Sequence, residues 1–346
     1  MLRRTLAVLL TIIAVLAAGW LALHRADVPY DTLETAYSLP DSQFMTLDDG
    51  LKVHYTDTGP KDRSVLVLVH GFSSSLHTWS EWKRNLEADY RVITLDLPGH
   101  GLTRADEEIV PSIERFVDVV DEVTYRLEVR TFTLVGNSMG GATTWNYALA
   151  HPEKLEGMVL IAASGWPPTD EEAESSPMIF KLMQNPLARL LIKDLDMTSM
   201  IRSGLEGSYT DQSFVTDELV QRYVSLSRAP GHREALLSIS ANIGDRPEAS
   251  ATNLSTIAVP SLVVWGRDDN LVPVSHAQKF ADALPGSRLV IYDGVGHLPQ
   301  EEAAEGTISE LRSFMLDVEW GILEEEEIVP AGDPRLVEDR PITNGG

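Results

Sequence analysis

The sequence predicts an α/β fold: a mostly parallel central sheet with helices on both faces and a helical cap inserted over it. Three observations carry this reading. Short, continuous apolar runs alternate with helical patterns, a serine framed by glycines stands at a strand-to-helix junction, and the alternation breaks between residues 165 and 254. With 346 residues, 43% of them hydrophobic, the chain can bury a sizeable core as one large domain with an insertion.

The elements follow in order. Phe44-Met45-Thr46 and Leu51-Lys52-Val53-His54-Tyr55 flank Asp48-Asp49-Gly50 and read as a hairpin, with residues 25–43 before them as a linker. Val65–Val69 is an apolar strand, Trp79–Leu86 a helix, Val92–Leu95 a strand and Ile113–Leu127 an amphipathic helix. Thr131–Val135 reads as a strand, Ala142–Ala150 as a helix, and strands recur at Met158–Ala162, Ser261–Trp265 and Arg288–Tyr292. Apolar strands alternating with helices imply a sheet covered on both faces. The core therefore divides into residues 44–164 and 255–318, separated by a cap at 165–254 with helical stretches at Met178–Met183 and Leu219–Ser227.

The amino terminus is uncharged from Thr5 to Leu23, with Arg3-Arg4 before it and His24-Arg25 after. About 19 residues at 1.5 Å rise nearly match a bilayer core of roughly 30 Å. Residues 1–24 are therefore expected to be a membrane anchor, with a cleaved signal ending near Ala17-Ala18-Gly19 as the alternative. Either reading exports the rest of the chain, to a periplasmic or extracellular setting, because the two arginines stay on the cytoplasmic side. The chain has no cysteine, which excludes a lipoprotein anchor, disulfides and thiol catalysis. Lys+Arg 28 against Asp+Glu 52 gives −24, the wrong sign for a surface that tracks nucleic-acid phosphates. Part of that excess lies in residues 319–346, where Glu324–Glu327 form a run, and this segment reads as a solvated, disordered tail.

The chemistry starts at Gly136-Asn137-Ser138-Met139-Gly140. A strand, a sharp turn and a helix would hold the serine in strained backbone geometry, with glycines where a β-carbon would crowd the crossing. A hydroxyl needs a base, and a histidine base needs a carboxylate to hold its tautomer. Gly266-Arg267-Asp268-Asp269-Asn270 follows one late strand and Gly294-Val295-Gly296-His297 the last. Asp269 is preferred over Asp268 because it lies further into the loop, before Leu271-Val272-Pro273. His297 is preferred by position: His24 borders the anchor, His54 lies in an early strand, His151 ends the elbow helix, His232 is in the cap, and His276 begins a helix that should expose it. His70-Gly71-Phe72 ends the first long strand, so the N–H groups of Phe72 and Met139 could form an oxyanion hole.

Taken together, His70-Gly71-Phe72, Asp96-Leu97-Pro98-Gly99-His100-Gly101, Gly136-Asn137-Ser138-Met139-Gly140-Gly141, Trp265-Gly266-Arg267-Asp268-Asp269 and Gly296-His297 resemble the α/β-hydrolase superfamily over roughly residues 44–316. The resemblance implies a triad of Ser138, Asp269 and His297, oxyanion donors at Phe72 and Met139, and a substrate-selecting cap; Asp96–Gly101 is a structural turn in the family. A serine nucleophile separates the chain from the haloalkane dehalogenases and epoxide hydrolases, which use aspartate there. The leading expectation is carboxylic-ester hydrolysis of acyl-chain or lipid-like substrates through an acyl-serine, needing no cofactor and no metal. Two branches look similar: membrane-anchored monoacylglycerol lipases, and meta-cleavage-product hydrolases, which break carbon–carbon bonds. Against the second stand Ser73-Ser74-Ser75, where that branch is richer in glycine, and Leu298, where it usually has an aromatic. A non-catalytic hydrolase-like binding protein is the alternative from another class.

Overall fold

Among the described residues, eight strands form one sheet: β1 (Gln43–Thr46), β2 (Lys52–Thr58), β3 (Val65–Val69), β4 (Arg91–Leu95), β5 (Phe132–Asn137), β6 (Leu155–Ile161), β7 (Ser261–Gly266) and β8 (Arg288–Tyr292). The computed structural model describes residues 2–105, 110–167, 169, 185, 189, 193–241 and 246–321. The spatial order is β1-β2-β4-β3-β5-β6-β7-β8; β2 pairs antiparallel with β1 and β4, and β4 through β8 are parallel.

The apolar runs are continuous because successive side chains feed two cores, one on each face. On one face Val67, Ile93, Leu134, Met158 and Val263 pack against α4 (Ile113–Arg126), α5 (Met139–Ala150) and α10 (Ser275–Ala283). On the other, Leu66, Leu68, Val92, Val135, Val159 and Leu262 pack against α3 (Ser80–Leu86) and α12 (Ala304–Glu319). Local signals agree with the packing. Ser112 caps α4 by accepting from Arg115 N at 3.1 Å, satisfying an N–H that the helix start leaves without an intrahelical acceptor.

Over the sheet, the described part of the insertion is helical: α6 (Thr198–Ser208), α7 (Asp217–Ser227), α8 (His232–Ala241) and the one-turn α9 (Ala251–Leu254), while the one-turn α11 (Pro299–Glu302) lies between α10 and α12. It has a small core of its own, in which Leu205, Tyr209, Leu219, Val220 and Val224 meet Leu298. The helical stretch expected at Met178–Met183 lies outside the described residues, as does the acidic tail from residue 322 onward.

The segment expected as a linker, residues 25–43, is folded. It carries α2 (Tyr30–Tyr37), which buries Leu33, and it is fastened to the insertion. Arg25 N donates to Asp194 O at 2.7 Å and Val28 N to Arg228 O at 2.8 Å, while Arg233 Nη1 donates to Arg25 O at 2.7 Å. Before it, Leu2–Leu23 forms the 22-residue helix α1. The side chains at 2–4, 7–9, 12, 13 and 16 of α1 lie outside the described residues, and among the described residues no helix is long and apolar enough to cross a membrane.

Polar groups hold the turns beneath the sheet's carboxyl end. Asp96 is fully buried and takes Leu76 N at 2.7 Å, Leu102 N at 2.8 Å and His54 Nδ1 at 2.6 Å. Gly101 follows from this: a β-carbon there would fall 1.9 Å from Asp96 Oδ2. Burial pushes His70, His100 and His232 below the usual histidine range, and the partly buried His77 is lowered to about 4. Groups held neutral in the folded chain gain protons on unfolding, so the unfolded state binds more protons from about pH 6.5 down to about pH 4. Stability should fall as pH drops through that window. The melting temperature is expected to be several degrees lower at about pH 5 than at about pH 7; an unchanged value would contradict the account.

Candidate active site

The candidate site is built at the carboxyl ends of β3, β5, β7 and β8. Ser138 leaves β5 with φ 55° and ψ −114°, a backbone state that costs a non-glycine residue about 1–3 kcal/mol and persists only where its surroundings impose it. The surroundings are on both sides. A β-carbon on Gly136 would lie 2.1 Å from Gly140 O, and one on Gly140 would lie 2.2 Å from Val69 O. Glycine at both positions lets α5 cross directly against β3 and β5. Ser138 N donates to Ile161 O at 3.0 Å, and Ser138 O accepts from Ser164 N at 3.0 Å, so the turn is tied to β6 as well.

The two later loops meet as expected. His297 Nδ1 lies 2.8 Å from Asp269 Oδ2, and both residues are buried. The other oxygen of Asp269 accepts from Leu271 N at 2.8 Å and Val272 N at 2.9 Å, which fixes the carboxylate's direction. A carboxylate at Nδ1 keeps that nitrogen protonated and leaves Nε2 as the basic atom. Asp268 is exposed, and its backbone donates to Val295 O at 3.0 Å.

The loop after β3 closes the third side. A β-carbon on Gly71 would lie 3.1 Å from Ser138 Cβ and 3.1 Å from Asn137 Oδ1, so the backbone leading to Phe72 runs against the elbow. Met139 opens α5, where a backbone N–H has no intrahelical acceptor. His70 Nε2 accepts from Leu97 N at 3.0 Å, so Nδ1 carries the proton and donates to Gly71 O at 2.7 Å. His70 thus pins the loop as a neutral structural residue. The fold therefore brings the Asp269–His297 pair to Asn137, the residue beside Ser138, and sets Gly71, just before Phe72, against Ser138 itself.

Three contributors escaped the sequence reading. Asn137 Nδ2 donates to Ile161 O and to His297 O, each at 3.2 Å, tying the histidine loop to the residue beside Ser138. Glu301 takes the hydroxyls of Thr78 and Tyr209 on its two oxygens, while burial pushes its carboxyl up. Glu302 accepts backbone N–H groups from two separate loops. Asn137 sat inside a recognised motif, but spacing alone does not say which carbonyls an amide will reach. One expectation is corrected: His276 is buried at 5% exposure, because α10 lays His276, Ala277 and Phe280 onto the sheet.

Cavities of about 520 and 460 Å³ lie elsewhere, the first at the amino ends of β6 and β7 beside Pro152 and Val259, the second between α2 and α7. Neither is lined by Ser138, Asp269 or His297, so the chemistry, and not cavity size, locates the site. Among the described residues no His, Asp and Glu cluster could hold a metal ion. The geometry separates the two candidate acids. Asp269→Asn is expected to lower kcat by roughly 10³–10⁴-fold, as loss of an orienting carboxylate does, and Asp268→Asn to change it less than about threefold; the reverse ranking in steady-state assays would overturn the assignment.

Comparison with known proteins agrees with this arrangement. Residues 64–304 match the family model described as the alpha/beta hydrolase fold. The chain is 30% identical over 278 residues to the 2-hydroxy-6-oxononadienedioate/2-hydroxy-6-oxononatrienedioate hydrolase of Comamonas testosteroni, covering 76% of this chain and 92% of that one. Among solved structures, it is similar to a bacterial membrane phospholipase A (TM-score 0.68, 24% identity, 92% of this chain and 99% of that one). It is also similar to a putative lipase from Acinetobacter baumannii AYE (TM-score 0.69, 23% identity, 86% and 99%). These likenesses, on a site of this construction, show that the chain belongs to the α/β-hydrolase fold family.

Proposed function

We propose that the protein is a serine hydrolase of carboxylic esters. The observation that carries this is the juxtaposition of the strained Ser138 elbow with a buried Asp269–His297 pair and the Gly71–Phe72 backbone. His297 Nε2 takes the hydroxyl proton as Ser138 Oγ attacks the ester carbon, and the oxyanion that forms is met by the N–H groups of Phe72 and Met139. His297 then gives the proton to the departing alcohol, leaving an acyl-serine. A water molecule, deprotonated by the same histidine, releases the acid. Each oxyanion donor is expected to lower the barrier by on the order of 3 kcal/mol, about a hundredfold in rate, because it acts on charge present only in the transition state.

Carbon–carbon hydrolysis of the meta-cleavage-product type is the second reading; the Comamonas testosteroni relative is named as a hydrolase of 2-hydroxy-6-oxononadienedioate and 2-hydroxy-6-oxononatrienedioate. The observation favouring it is Arg222 on α7, a cation near the Glu301 carboxyl, with a buried Nε that has no hydrogen-bond partner among the described residues. Charge speaks for the ester. The relative's named substrates are dicarboxylates, whereas this chain carries −24 and sets Glu301 and Glu302 directly after the histidine loop, a field that disfavours dianions.

We further propose that α1 holds this unit at a membrane, with the catalytic part on the non-cytoplasmic side. The uncharged run Thr5–Leu23 behind Arg3-Arg4 supports this, as do Leu6, Leu10, Val15, Leu21 and Leu23, all of which are exposed. A lipid-like ester fits that setting. Full-length protein should stay in the membrane fraction after alkaline carbonate extraction, and recovery in the soluble fraction would refute the anchor.

Assays on p-nitrophenyl esters of graded chain length should show turnover that Ser138→Ala reduces by at least about 10³-fold. Turnover of a 2-hydroxy-6-oxo-dienoate with no serine-dependent ester cleavage would replace the ester reading by the second one.

A further inference from the structure

The loop carrying His297 is bound by the cap as well as by the core. His297 N donates to Ser208 O, the last residue of α6, at 2.8 Å. Gly296 lies so close to the cap that a β-carbon would fall 2.5 Å from the same Ser208 O. Leu298, on the other side of His297, is buried in the cap's own apolar cluster with Leu205, Tyr209, Leu219, Val220 and Val224. The three consecutive residues 296–298 are thus all held by the insertion.

Glu302 closes this arrangement. One of its oxygens accepts from Thr210 N at 2.7 Å and Asp211 N at 2.8 Å, just beyond the end of α6; the other accepts from Gly296 N at 2.7 Å. One carboxylate therefore joins the cap backbone to the residue before the base. Hydrogen bonds from backbone N–H groups to a carboxylate are among the stronger neutral-to-ionic contacts. An amide in its place would turn an N–H₂ toward at least one of those donors and lose that bond.

We propose that Glu302 is a positioning residue through which the cap sets His297 against Ser138. The cap then does more than select substrates: its docking on the core fixes the register of the base. This rests on the reading of His297 as the general base of a serine hydrolase.

The experiment uses the full chain with two variants, Glu302→Gln at the fastening and Leu205→Ala in the cap cluster. A short p-nitrophenyl ester and a fluorophosphonate probe that reacts at an activated serine supply the readouts. Glu302→Gln should lower kcat at least tenfold while KM stays within about threefold, and should slow labelling of Ser138 by a similar factor, because the base is misplaced while the substrate pocket is kept. Leu205→Ala should give the same kcat pattern more mildly, and the double variant should lose less than the product of the two single losses, since both loosen one unit. A Glu302→Gln protein with wild-type kcat and labelling rate would overturn the proposal, as would a loss confined to KM or multiplicative losses in the double variant. Wild-type protein that does not label at Ser138 would instead overturn the serine-hydrolase reading and this proposal with it, so the two failures are distinct.

Discussion

The backbone contact between α5 and the strands it crosses is the constraint on which the site depends. Gly140 lies against Val69 O and Gly136 against Gly140 O at distances no β-carbon could share. With both side chains absent, the helix begins directly at the strand end, and Ser138 is forced to φ 55° at the apex. The strain is retained because the whole sheet imposes it: the two cores on either face hold β3, β5 and α5 in place. Substituting either glycine would move the helix, and with it the nucleophile and the N–H of Met139.

Around that fixed point the other groups are brought in by separate devices. The Asp269–His297 pair is aimed by backbone N–H groups at the acid and by Asn137 and the cap at the base. The oxyanion loop is set by Gly71 against the elbow and by the neutral His70 beneath it. Asp96 is paired with Leu76 N, Leu102 N and His54, as a buried carboxylate in a low-dielectric interior requires, and it orders the turns as Asp269 orders His297. Because His297 is bonded by both core and cap, the insertion is mechanically part of the candidate site.

Much of this was legible in the sequence, for identifiable reasons. Strands such as Val65–Val69 and Ser261–Trp265 were readable because a sheet covered on both faces demands unbroken apolar runs. The placement of Ser138, Asp269 and His297 after strand ends was readable because glycine-framed turns and chain order mark those loops. The fastening by Glu302 and Asn137 was not, because it depends on which backbone groups a side chain meets across about 90 residues in one case and 160 in the other. His276 was misread for a related reason: a helix's exposed face is set by what it packs on, and α10 turns that histidine inward. The segment at 25–43 looked like a linker because its one helix is short and its ties to Asp194, Arg228 and Arg233 lie far along the chain.

The central claim is that Ser138 carries the acyl group during turnover. The direct measurement is to quench the protein during reaction with a slowly deacylating ester and map the adduct by peptide mass spectrometry. An acyl mass on the peptide containing Ser138, appearing with the first product and decaying as the acid is released, is the result expected. Turnover with no covalent adduct, or an adduct on another residue, would contradict the account.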